Sequence, residues 1–314
     1  MRVWVAYYSQ AGDAAAVARA VSEPFQAAGH EVVIERIRVV EDYPFPWRSL
    51  FRFFSVLPES LLGPPPPVYP IALDLRTPLD LVILVYQVWF LSPSLPVQGF
   101  LASPSAEVLG GRELLTVSVS RNMWVSGFQR MKRWIRECGA VHLDHISVTH
   151  QGPPWATFVT EPRAALSGRR DPFWFFPAAG VGEAALEHVR CLGALACERW
   201  SQRLAADRAP LLAGVEAAHI HPRYLLPECV GWYLFMAWAH LLKRLGRPGS
   251  AARNVGIVGF IPFLVVAIAV GIPLLWLGAL VLRPVVRPAM EAYARKIAAP
   301  AGAAMTPSGR SPCD

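Results

Sequence analysis

A chain of 314 residues with 54% hydrophobic side chains is long enough for one sizeable core and an appendage. Its mean hydropathy of +0.33 is high for a purely soluble protein, so a membrane segment is to be sought. The formal charge of +7 points to anionic lipid or an anionic cofactor. No Arg/Lys stripe interleaved with aromatics marks a binding module, which sets nucleic acid aside as a partner.

Residues 3–8 form an apolar run that breaks at 9–12 and enters an Ala-rich helical pattern over 14–28. A buried strand feeding a small polar turn and a helix N-terminus makes an anion site, because backbone N–H groups converge there and the helix dipole favours negative charge. The turn lacks Gly-x-Gly-x-x-Gly and no Lys-Ser/Thr follows, so it is neither a dinucleotide fingerprint nor a Walker loop. Two readings stand side by side. Ser9, Gln10, Ala11 and Gly12 resemble the single-phosphate cradle of flavodoxin-like FMN domains, or the segment is an ordinary β–α turn with Asp13 as helix N-cap. Asp13 sits where a hydroxyl is more usual in a phosphate turn.

Residues 31–39 read as a second strand. The rhythm then breaks over 41–78, rich in proline and aromatics, with a short helical pattern at 47–57; such an insert is a lid, an interface or a structural flap. It resumes at 79–86, a near-continuous apolar run of the kind found in a central parallel strand. The run ends in the loop 87–96, and a helix is expected to about residue 109. A fourth strand, 113–119, ends in the loop 120–124. The helix expected over 125–138 carries Arg130, Lys132, Arg133 and Arg136, which read as a solvated or lipid-facing face. A fifth strand spans 140–149. The expected fold is α/β: a doubly wound five-stranded parallel sheet within residues 1–206, with its ligand crevice at the carboxyl ends of the strands. The loops 9–13, 87–96 and 120–124 all fall at those ends.

Residues 150–180 read as loop-rich and 181–206 as a returning helix. Gly180 and Gly182 follow no strand and make no nucleotide motif. His219 and His221 have a spacing that can chelate, but no further ligand is assigned, so no metal is expected. Residues 207–314 form a membrane-associated helical region. Its uncharged run over 255–282 would span roughly 42 Å as a helix against a hydrocarbon core of about 30 Å. Pro262 and Pro273 would kink it. A shorter apolar stretch covers 229–242. Basic residues flank the long run on both sides (Lys243, Arg244, Arg247 and Arg253; Arg283, Arg287, Arg295 and Lys296), so charge bias does not orient it. Attachment at the cytoplasmic face of the inner membrane is expected, with a disordered tail from about residue 299. Met1 leads straight into a strand, so no signal peptide is expected. The five cysteines show no CxxC spacing and read as reduced thiols.

A flavin needs an aromatic wall and amide or hydroxyl partners at its ring edge. Trp89 and Phe90 are placed to supply the wall, with Gln87, Val88, Ser92, Ser94 and Ser120 nearby. Arg121 and Asn122 could contact the ring edge or hold a carbonyl substrate, and His150, at the end of strand five, could take a proton.

Residues 7–10 with Gly12, together with 43–47, 86–96, Arg121 to Trp124 and 151–176, resemble the bacterial family of dialkylresorcinol condensing enzymes. The resemblance covers about residues 1–190, and 86–96 is its most specific stretch. It implies a place in dialkylresorcinol and aryl polyene lipid biosynthesis beside a ketosynthase partner. The implied reaction is oxidation of a lipid-tailed cyclic diketone, a dialkyl-cyclohexanedione, to the resorcinol. Carbon–carbon condensation would need a low-pKa Cys with His partners. Here Cys138, Cys191 and Cys197 fall in expected helices and Cys229 in an apolar segment, so FMN-dependent oxidation is expected instead. An electron carrier, or a cofactor-free scaffold for the ketosynthase, are the competing expectations.

Overall fold

The computed structural model describes residues 1–74, 77–202 and 210–281, with residues 288, 290, 292, 293 and 297 beyond them. In chain order the elements are β1 (Arg2–Tyr7), α1 (Asp13–Ala27), β2 (Glu31–Arg36), α2 (Leu50–Ser55), α3 (Leu57–Leu62), β3 (Leu81–Trp89), β4 (Ser92–Pro93), α4 (Leu95–Leu101), β5 (Glu113–Ser120), α5 (Val125–Glu137), β6 (Val141–Thr149), α6 (Pro154–Ser167), α7 (Glu183–Gln202), α8 (Pro222–Arg244), α9 (Ala251–Val266) and α10 (Ile272–Val281).

Five strands pair in parallel in the order β2-β1-β3-β5-β6. This is the flavodoxin-like order, in which the crevice opens where the chain switches direction between the first and third strands. Register places Val5 opposite Ile83 and Ile83 opposite Leu115. Alternation along each strand then builds two cores. Val3, Val5, Ile83, Val85 and Leu115 pack with α1 and α7 on one face. Trp4, Val82, Leu84 and Leu114 pack with Phe100, Met131 and Ile135 on the other. Helices α1 and α7 approach closely: a Cβ at Gly193 would lie 2.7 Å from the Val21 carbonyl oxygen.

The structure departs from the sequence expectations at several places. A sixth, two-residue strand, β4, turns back antiparallel on β3. The second strand ends at Arg36, and Val39 instead forms an isolated bridge with Val68. The helical pattern at 47–57 is two short helices, and the helix expected up to about 109 is α4 followed by a 3-10 turn at Pro104–Leu109. The largest difference is α6, which occupies the middle of the segment read as loop. Pro154 stands in its first turn, where a missing N–H costs nothing, and Pro162 is carried inside it. Cys138, Cys197 and Cys229 are free thiols, whereas Cys191 is disulfide-bonded, a departure from the expected set of reduced cysteines. Residues 203–206 of the returning helix, Leu282, Arg283, Arg287, Arg295, Lys296, Cys313 and the tail from about 299 lie outside the described residues.

Two of the described helical segments, Arg223–Arg244 and Ala251–Val281, are long and apolar enough to cross a bilayer. The second is continuous through a π-helical turn at Ala267–Gly271, just before Pro273, whose missing N–H cannot close an ordinary turn. The insert joins these helices to the sheet domain. Phe54, Leu57 and Leu61 share a buried cluster with Ala239, Leu242, Ile257 and Phe260. Arg253, 1% exposed, forks onto Glu59, with Nη1 at 3.0 Å from Oε1 and Nη2 at 2.5 Å from Oε2; Nη2 also donates to the Ser55 carbonyl oxygen at 2.5 Å. Replacing Arg253 by alanine is expected to lower stability by about 3 kcal/mol, because it strands Glu59 in a largely apolar seam. Denaturation in mild detergent measures this, and E59Q/R253M should recover part of the loss.

Candidate functional site

The turn after β1 is held from outside itself. Gly12, at φ 99°, is the helix N-cap and donates its N–H to Ser9 Oγ at 3.1 Å; Asp13 is the first helical residue and not the cap. The Ser9 hydroxyl proton is left to donate elsewhere. Asp13 is buried and turns away from the turn's mouth: its carboxylate accepts from Val181 N at 3.0 Å and pairs with Arg170. Arg170 Nη1 also donates to the Ala11 carbonyl oxygen at 2.8 Å. The acidic residue that would repel a phosphate is thereby neutralised. Gly180, at φ 90°, permits this, since a Cβ there would run into the Arg170 guanidinium. Gln10 Nε2 donates to the Pro44 carbonyl oxygen at 2.6 Å, drawing the insert over the turn.

After β3 the chain reverses at Phe90 and Leu91, with φ of 49° and 61°. Both central positions of such a hairpin need positive φ, which glycine or asparagine ordinarily supplies, and two bulky residues there hold backbone strain. The reversal sends the two aromatics apart. Trp89 meets Tyr8, Tyr43 and Trp47 edge-on, with centroids 6.0, 5.1 and 6.4 Å away. Phe90 joins Phe53 and Phe235 at 5.5 and 6.1 Å, on the side of the C-terminal helices. Val88 pairs with Pro93 in the hairpin. Beside Trp89's partners lies a cavity of about 490 Å³ lined by Tyr43, Pro44, Trp47 and Arg52 among others.

The loop after β5 and the end of β6 meet α6. His150 N donates to the Ser120 carbonyl oxygen at 2.9 Å. His150 Nδ1 lies 2.9 Å from Glu161 Oε2, with the side chains 12% and 16% exposed. Glu161 Oε1 accepts from Gly180 N at 2.8 Å. Burial alone would raise the Glu161 pKa, but His150, the Gly180 N–H and Arg121 together hold it below the ordinary carboxylate value. The Arg121 guanidinium lies 4.6 Å from the centre of the Phe158 ring. Burial pulls its pKa down, against the support of Glu161. Thus α6 brings Arg121 and His150 together around Glu161, a residue the sequence reading did not single out.

Besides His150 Nδ1, which approaches Glu161 Oε2 as a charge contact without an aligned hydrogen bond, four buried side-chain atoms here have no partner: Gln87 Oε1, Ser120 Oγ, Asn122 Nδ2 and Thr160 Oγ1. They come from the ends of β3 and β5 and from α6. Such atoms are costly to bury unpaired and call for a partner, whether water or ligand. An acceptor, a donor and two hydroxyls match the mixed donor–acceptor edge of a flavin pyrimidine, and the Ser9 hydroxyl can serve its phosphate. The residues present therefore fit FMN. They do not fit thiol chemistry, since burial pushes the Cys138 and Cys197 thiols up from their ordinary values. His219 Nε2 and His221 Nδ1 hydrogen-bond each other at 3.0 Å, away from these loops.

No family model and no curated protein matches the chain. Among solved structures it is similar to a flavodoxin from the domain Archaea, at 12% identity over 64% of this chain and 100% of that one, with a TM-score of 0.36. It is similar to Megasphaera elsdenii flavodoxin at 17% identity over 46% and 84%, with a TM-score of 0.29. A third is general stress protein 14 from Treponema denticola, in complex with FMN, at 7% identity over 47% and 85%, with a TM-score of 0.28. The strand order, and not these likenesses, carries the fold.

Proposed function

We propose that the protein is a membrane-attached FMN-dependent oxidoreductase of dialkylresorcinol-type lipid biosynthesis, at the cytoplasmic face of the inner membrane and beside a ketosynthase. Its reaction is the oxidation of a dialkyl-cyclohexanedione to the resorcinol. The observation that carries this reading is the meeting of Arg121, Asn122 and the His150–Glu161 pair with partnerless buried polar atoms at one end of the sheet. Gln87 and Ser120 would hold the flavin edge, Trp89 would pack against the ring, and Ser9 to Gly12 would take the phosphate.

Aromatising the diketone removes two electrons and two protons, and bound FMN supplies the two-electron acceptor. The chain's own residues manage the protons. The Glu161 carboxylate, 2.9 Å from Nδ1, would favour a proton there and so leave His150 Nε2 to accept the one next to the carbonyl. Arg121 stabilises the negative charge that develops on the carbonyl oxygen, and the Asn122 amide can donate beside it. The apolar C-terminal helices give a lipid-tailed substrate a reason to be met at the membrane.

The protein should co-purify with FMN and not FAD, since the turn offers one phosphate cradle and no pyrophosphate path. Cofactor released from detergent-purified protein identifies it. Trp89→Ala should weaken FMN retention about two- to tenfold, from about 0.5–1.5 kcal/mol of aromatic contact. The Gln10–Pro44 hydrogen bond, which draws the insert across the turn, favours a cofactor-free scaffold as the second reading. A colourless protein that also fails to bind added FMN would overturn the flavoenzyme and leave that scaffold reading standing.

A further inference from the structure

We infer that the C-terminal helices lie flat in one leaflet of the membrane and do not cross it. This deepens the membrane attachment in the proposed function and rests on it. The inference comes from where the two apolar helices are fastened. Along α8, Glu228 accepts the Ser126 N–H at the start of α5 at 2.6 Å. Half-way along, Trp232 lies under the Arg130 guanidinium of α5 at 5.5 Å. At its far end Ala239 and Leu242 are buried against α2 and α3, and Lys243 Nζ donates to the Gly63 carbonyl oxygen at 2.6 Å. From Glu228 to Lys243 is about 22 Å of helix. A bilayer core around that length would have to admit α5 with Arg130, Arg133 and Arg136, which hydrocarbon excludes.

The long rod Ala251–Val281 is pinned at both ends too. Arg253 is locked to Glu59, and Phe260 meets Phe54 at 5.3 Å. Near the other end Trp276 Nε1 donates to the Arg223 carbonyl oxygen at 3.0 Å, at the start of α8. Arg253 and Trp276 are separated by about 35 Å of helix, so the rod doubles back along α8, which is itself fastened to the domain.

Its outer side is a continuous apolar strip. Val258, Val265, Val266, Val270, Leu274 and Leu277 are each more than half exposed, and their spacing keeps them on one face. The charge around the strip fits anionic lipid headgroups: no acidic residue occurs between Glu228 and Glu291, while Lys243 and Arg244 end α8 and Arg247 follows in the turn to α9. The partner of the strip is therefore the headgroup and upper acyl region of one anionic leaflet.

The experiment uses the full chain with a sequence-specific protease site inserted between Pro248 and Gly249 and an epitope tag after Asp314. Sealed inside-out vesicles from expressing cells are treated with that protease, and separately with a general one, before and after detergent. The expected result is cleavage at 248–249 and loss of the tag without detergent, in chains that pellet with the vesicles. Protection of 248–249 would mean both helices cross, and protection of the tag alone would mean the rod crosses by itself; either overturns the inference and leaves attachment standing. A chain absent from the vesicle pellet overturns attachment itself. V266E/L277E, both on the exposed strip, should reduce the vesicle-bound fraction roughly tenfold or more. Unchanged binding would show that the strip does not face lipid.

Discussion

Arg121→Ala is expected to lower turnover of a dialkyl-cyclohexanedione by about two to three orders of magnitude while FMN stays bound, the loss typical of removing one fixed donor to a developing oxyanion. The side chain is half-buried and its guanidinium lies against the Phe158 ring, so it is held in place before substrate arrives. Burial works against its charge, but Glu161 supports it, and an arginine keeps its proton under such pressure. A donor that needs no reorganisation acts most strongly where water is excluded. Arg121→Lys should not restore the rate, because an ammonium lacks both the planar contact with Phe158 and the paired donors. Single-turnover rates and the flavin spectrum of the same preparation separate the two effects. Normal turnover by Arg121→Ala with flavin in place would sink the site assignment and leave the cofactor reading standing.

Why part of this site was legible in the sequence and part was not follows from how far apart its pieces lie. The parallel strands announce themselves as apolar runs, because a strand covered on both faces cannot alternate; Leu81 to Tyr86 is wholly buried. Once the more mixed strands at 31–39, 113–119 and 140–149 are added to the apolar runs of β1 and β3, the crevice at the carboxyl ends is fixed by topology, and the loops holding Ser9, Trp89 and Arg121 are found without knowing any contact. Helix α6 was hidden by its own prolines. Pro153 and Pro154 read as loop, although they precede and open the helix, and Pro162 reads as a breaker, although tertiary packing outweighs its missing hydrogen bond. Glu161 went unseen for that reason alone, since a carboxylate one residue before a proline carries no signal. A Pro-Pro pair followed by a run free of glycine was the available clue. Contacts of long sequence separation were not legible at all. Asp13 meets Arg170 across 157 positions and Glu59 meets Arg253 across 194, and no local pattern encodes either pairing.

The second large effect concerns the proton. His150→Ala should lower turnover by about two to four orders of magnitude, the range for loss of a general base, with FMN retained. Glu161→Gln should cost less, because the amide can still accept a hydrogen bond from Nδ1–H but no longer balances the charge of an imidazolium. If Glu161 acts through His150, the double variant should be little slower than His150→Ala alone. Independent, multiplicative losses would show that Glu161 has a separate role. Stability gives a second readout with a definite sign. The folded state holds the Glu161 pKa below its ordinary 4.5, so the folded protein prefers the carboxylate. That preference adds stability above about pH 4.5 and is lost as pH falls through the lowered value. Wild type should therefore be more stable than Glu161→Gln near neutral pH, and the two should converge on acidification. A stability difference that persists unchanged into acid would place the carboxylate's effect in packing. Turnover that survives His150→Ala would require the proton acceptor to be sought elsewhere along the ends of β5 and β6.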